Sequence, residues 1–68
     1  MNIFWKRLNE ARQEEGITRT ELAQRLNVSV RLISYWEKGE RECSFDMLIK
    51  LADILNTSTD YLLGRKDY

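Results

Sequence analysis

Sixty-eight residues, 43% of them hydrophobic and 32% charged, suffice for one small packed domain near the lower size at which an apolar core alone holds a fold. One cysteine and no histidine exclude a disulfide framework and any ordinary zinc site, and eleven basic residues balance eleven acidic ones. No apolar run approaches membrane-spanning length and no secretory leader opens the chain, so the expected compartment is a reducing cytoplasm.

Proline is absent, and the three glycines stand where helices should end. Phe4, Leu8 and Ala11, at i, i+4 and i+7, predict a first helix from about Ile3 to Glu15, stopped by Gly16 as a left-handed cap. Ile17 then returns to the core. Thr18 and Glu21 have capping-box spacing and open a second helix with an apolar face of Leu22, Ala23 and Leu26. Ala23 is small enough to let two helices cross closely. Asn27-Val28-Ser29 forms the turn, because Asn tolerates a left-handed backbone and Ser29 can cap the next helix. That third helix runs from about Val30 to Glu37, with Ile33 and Trp36 inward, and Lys38-Gly39 ends it. A polar loop, Glu40 to Cys43, leads to Ser44 as the next N-cap.

The fourth helix, Phe45 to Leu55, places Phe45, Leu48, Leu51, Ala52 and Leu55 on one stripe, and Asn56 ends it. Ser58 caps a short last helix in which Leu62 and Leu63 are expected to close the core. Gly64 stops that helix, and Arg65 to Tyr68 remains as a polar tail. The expected architecture is an all-α, compact five-helix bundle, with residues 1–68 as a single domain.

The segment Thr18–Glu37, TRTELAQRLNVSVRLISYWE, carries the functional signal. Its two helices and tight turn have the plan of a helix-turn-helix, whose second helix enters the major groove of DNA. Val30, Arg31, Ser34 and Tyr35 fall on the outward side of that second helix, with Leu32 between core and surface. The neutral overall charge argues against a nucleic-acid partner at first sight. Local charge is what counts: between Thr18 and Arg41 five basic residues face three acidic ones.

Four ordered segments, ELAQRLNVS, ISYWEKG, SFDMLIKLADIL and DYLLG, together with the amphipathic first helix, resemble the Cro/repressor-like, or Xre, helix-turn-helix family. Asn27 stands where that family usually has Gly, Cys43 where it usually has Pro, and Asn56-Thr57 where it often has Gly-Val. Asn suits both turns; Cys43 leaves the entry to the fourth helix less rigid. The resemblance implies a lambda-repressor-like fold with the helix-turn-helix as helices 2 and 3. It implies a sequence-specific regulator of transcription that binds double-stranded DNA, a repressor acting as a homodimer on a palindromic operator. Val30, Arg31 and Tyr35 then match base-contacting positions, and Ser34 beside them is expected to bond a base or a phosphate. Lys38 and Arg41 match positions that hold phosphate, Arg19 stands where the family often has a phosphate-gripping Gln, and Thr18 and Ser44 are further candidate phosphate contacts. Arg12 and Glu37 match a partly buried ion pair that fixes the recognition helix.

Enzymatic readings find no support. Catalytic residues are not expected, since Ser and Cys nucleophiles want an adjacent base and histidine is absent. No glycine-rich phosphate loop exists, and no cofactor, metal or small-molecule ligand is implied. Cys43 reads as a loop thiol without a redox partner. Ile3, Trp5, Tyr61 and Tyr68 are candidates for a dimer face. Two rival readings are the antitoxin of a toxin–antitoxin pair and a helix-turn-helix module that binds only protein.

Overall fold

The computed structural model describes residues 3–68 and consists of five helices joined by short turns: α1 (Phe4–Glu14), α2 (Arg19–Leu26), α3 (Val30–Glu37), α4 (Phe45–Ile54) and α5 (Thr59–Leu62). Helix boundaries follow local chemistry. Thr18, Ser29, Ser44 and Ser58 sit at the N-caps of α2 to α5, and each side-chain oxygen accepts the backbone N–H three residues on, from Glu21, Leu32, Met47 and Tyr61. One of the four orphan donors at each helix start is thereby satisfied. The Thr18 cap is reciprocal, because Glu21 accepts from the Thr18 N–H at 2.9 Å.

The helix ends share one device. Gly16, Asn27, Gly39, Asn56 and Gly64 all have φ between 55° and 79°, the left-handed region. At α2, Val28 N–H reaches back to the Ala23 carbonyl at 3.0 Å while Asn27 N–H bonds Gln24, the paired closure of a Schellman motif. The positive φ aims the chain back across the helix it has just left, so each connection is short. Asn pays little for this conformation because its side chain can bond locally.

The core forms where the helices converge. Leu8, Leu22, Ile33, Leu51, Leu55 and Leu62 are fully buried, with Phe4, Ala11, Ala23, Leu26, Trp36, Leu48 and Ala52 around them. Helix α3 packs on both α1 and α2, while α4 bridges α2 and α5. Every core position expected on α1, α2 and α3 is filled as the spacing predicts. Ile17 lies half-buried against the cluster.

Two expected core residues are not in it. Phe45 is 86% exposed. It is the first residue of α4, and helical side chains tilt toward the N-terminus, so its ring projects past the helix end into solvent. Leu63 is also largely exposed. Successive helical residues lie ~100° apart around the axis, and Leu62 has taken the inward direction. Trp5 is 38% exposed. The tail is not loose: Arg7 donates to the Lys66 carbonyl at 3.1 Å and Ser58 donates to the Tyr68 carbonyl at 2.8 Å. The Arg7 guanidinium also lies 4.4 Å from the centre of the Tyr61 ring. Among the described residues no helix is long and apolar enough to cross a membrane.

Candidate nucleic-acid interface

Helix α3 is held at three points. Its start is fixed by the left-handed turn at Asn27 and the Ser29 cap. Its apolar side, Ile33 and Trp36, is sunk between α1 and α2. Its end is fixed by Glu37, which is the one buried charged residue among those described.

Arg12 Nε donates to Glu37 Oε2 at 2.8 Å, and Arg12 Nη1 donates to the Ile17 carbonyl at 2.8 Å, so one guanidinium ties α3 to the turn after α1. Asn9 Nδ2 donates to Glu37 Oε1 at 2.8 Å, and Arg19 Nε donates to the same oxygen at 2.9 Å. Burial works to raise the Glu37 pKa, but the hydrogen bonds from Arg12, Asn9 and Arg19 outweigh it and hold the carboxyl below its ordinary value. The carboxylate therefore joins α1, α2 and α3 through a single charge-assisted cluster. No buried side-chain nitrogen or oxygen among the described residues lacks a partner.

Sequence reasoning paired Arg12 with Glu37 but missed Asn9 and the Arg19 contact. Asn9 lies three residues before Arg12 on one face of α1, and that spacing is the signal available for it. Arg19 shares an anion with Arg12, so its charge is partly met inside the protein. Its side chain remains 46% exposed, and two guanidinium groups against one carboxylate leave a surplus positive charge at the start of α2.

Along the outward side of α3, Arg31 is exposed, Val30 is 40% exposed, and Ser34 and Tyr35 are half-buried. Leu32 packs partly against the core. Ser29, Arg31, Leu32, Tyr35 and Arg41 line one open depression on this side. Arg41 was expected at phosphate, yet its guanidinium lies over the Tyr35 ring, 4.7 Å from the centroid. Lys38 is exposed just past the end of α3. The Thr18 and Ser44 hydroxyls accept from their own helices at 3.0 and 3.2 Å, and each keeps its O–H to donate outward.

The remaining candidates for chemistry are inert or structural. Burial pushes the Cys43 thiol above its ordinary pKa, which disfavours the reactive thiolate. The described residues assemble no group of His, Cys, Asp or Glu able to hold a metal ion. A largely apolar cleft is lined by Phe4, Glu42, Cys43, Phe45, Leu48 and Leu63.

Two capped helices joined by a left-handed turn, the second locked to its scaffold at both ends, define a helix-turn-helix. The helix-turn-helix family profile matches residues 8–62. HTH-type transcriptional regulator ImmR of Bacillus subtilis is 45% identical over 62 residues, which cover 91% of this chain and 49% of that protein. The P22 c2 repressor, solved in complex with a synthetic operator, superposes with a TM-score of 0.87 at 30% identity over 97% of this chain and 100% of that one. A transcriptional regulator from Listeria innocua superposes with a TM-score of 0.85 at 31% identity over 94% of this chain and 60% of that one. The chain belongs to the helix-turn-helix family, of the Cro/repressor-like (Xre) type. It spans about half the length of the curated relative it matches at 45% identity.

Proposed function

We propose that this protein regulates transcription by binding double-stranded DNA sequence-specifically, with α3 in the major groove, and that it acts as a repressor by occupying a palindromic operator as a homodimer. The observation that carries this reading is the Glu37 cluster, which fixes the tilt of α3 while Val30, Arg31, Ser34 and Tyr35 remain on its outward side. The likeness to a repressor solved with a synthetic operator supports it.

In this reading Arg31 pairs bidentately with the O6 and N7 of a guanine, and Val30 packs on a thymine methyl. Ser34 and Tyr35 complete the base contacts. Thr18, Arg19, Lys38 and Ser44 are the phosphate contacts that set register without reading sequence. The extents of the molecule, 27 × 23 × 20 Å, are shorter than the ~34 Å between successive major grooves, so two copies fit on one face of the duplex without overlap.

Selection of bound duplexes from a random pool tests the proposal. The expected product is an inverted repeat whose half-site centres lie one helical turn apart. Recovery of no enriched duplex would overturn DNA recognition, and an enriched site without symmetry would overturn the dimer.

A further inference from the structure

The resemblance gives Arg41 a place on phosphate, where it would strengthen binding to every sequence alike. Its surroundings suit that role poorly. Arg41 stands between Glu40 and Glu42, so this short segment is net negative. Its guanidinium lies on the Tyr35 ring, and the path of the chain explains why. Helix α3 closes on Gly39 at φ 76°, a left-handed conformation that most side chains adopt only with strain. Gly39 N–H bonds the Trp36 carbonyl at 3.2 Å, and Glu40 N–H bonds the Tyr35 carbonyl at 2.9 Å. This closure turns the chain back beside the last turn of the helix. Arg41, two residues beyond Gly39, comes level with the Tyr35 ring and covers one of its faces. The same two residues line the depression that also holds Arg31.

We propose that Arg41 is a specificity-determining positioning residue, which holds the Tyr35 ring in one orientation so that the base pair opposite Tyr35 is read by the stacked pair. The inference rests on the DNA-binding function proposed above and deepens it. A planar, weakly hydrated guanidinium stacks on an aromatic face in a way that a compact ammonium does not, so Lys should not replace Arg here. A phosphate contact would tolerate that exchange.

Duplex selection with the parent, Arg41→Ala, Arg41→Lys and Tyr35→Ala distinguishes the two roles. Arg41→Ala and Arg41→Lys are expected to lose preference at the same base pair that Tyr35→Ala loses, with discrimination there falling roughly 2- to 5-fold, the range an exposed cation–π contact supports. Preference at the other positions should persist, and adding Arg41→Ala to Tyr35→Ala should change discrimination no further. Arg41 is exposed, so its variants should keep the parent's thermal unfolding midpoint. The inference is overturned if Arg41→Ala recovers the parent's motif and weakens matched and scrambled duplexes equally, while Arg41→Lys restores both. Failure of the parent itself to enrich any duplex would instead remove the DNA-binding function and this inference with it.

Discussion

Glu37 concentrates most of what orients α3. An ionised carboxylate with a side chain only 1% exposed is tolerable because Arg12, Asn9 and Arg19 all donate to it. Arg12→Ala removes the more buried of the two guanidinium partners, leaving Arg19 and Asn9 on the carboxylate, and is expected to cost roughly 1.5–3 kcal/mol, measured by denaturant unfolding. Arg19→Ala should cost under about 1 kcal/mol, because that side chain is half in solvent. The pH dependence follows from the lowered pKa. A carboxyl held below its ordinary value near 4.5 stabilises the fold above that value, and the contribution is lost as pH falls through the folded-state pKa. Glu37→Gln, already without this contribution, should show a shallower loss of stability below that value than the parent. On DNA, Arg31→Ala is expected to relax preference at one base pair per half-site, by the roughly 1–3 kcal/mol of a bidentate guanine contact. Competition against scrambled duplex checks it, since non-specific affinity should fall little. At this scale the sequence was legible where residues match a pattern and opaque where side chains from distant helices converge. The spacing of Asn9 to Arg12 puts the two on one face of α1, but nothing in it says that Arg19 joins them on one carboxylate, or that Arg41 will settle on Tyr35.

At the scale of elements, punctuation made the fold readable. Ser or Thr before each of α2 to α5 and a left-handed Gly or Asn after every helix fix boundaries to within a residue. These residues act through local backbone geometry, which sequence encodes directly. Asn27→Gly should therefore be neutral or slightly stabilising, whereas Asn27→Val should cost ~1–2 kcal/mol for placing a β-branched residue at φ 58°, read as a lower melting temperature. Gly64→Ala should cost at least as much, since its new Cβ would also run into Ile3 Cγ2. Periodicity misplaced Phe45 and Leu63 for a related reason. It assumes that every residue on a stripe faces the core, and a first-turn side chain leaning off the end of α4 stays largely in solvent. Leu63 lies just past the four-residue α5, where Leu62 already takes the inward position.

For the whole molecule, zero net charge conceals an uneven distribution. Glu10, Glu14 and Glu15 lie on the exposed side of α1 and just past its end, while Arg19, Arg31, Lys38 and Arg41 belong to the helix-turn-helix and its closing turn. A neutral bundle of this kind can meet phosphate on one side without drawing non-specific anions over its entire surface. In the proposed function the scaffold's task is to keep one short helix from shifting as it enters a groove. Guanine N7 lies in the major groove, so protection of N7 from methylation in a selected duplex tests that task most directly. The parent is expected to protect guanine in each half-site, and Arg31→Ala to lose that protection. Binding that leaves every guanine N7 reactive, or protection that survives Arg31→Ala unchanged, would contradict this expectation.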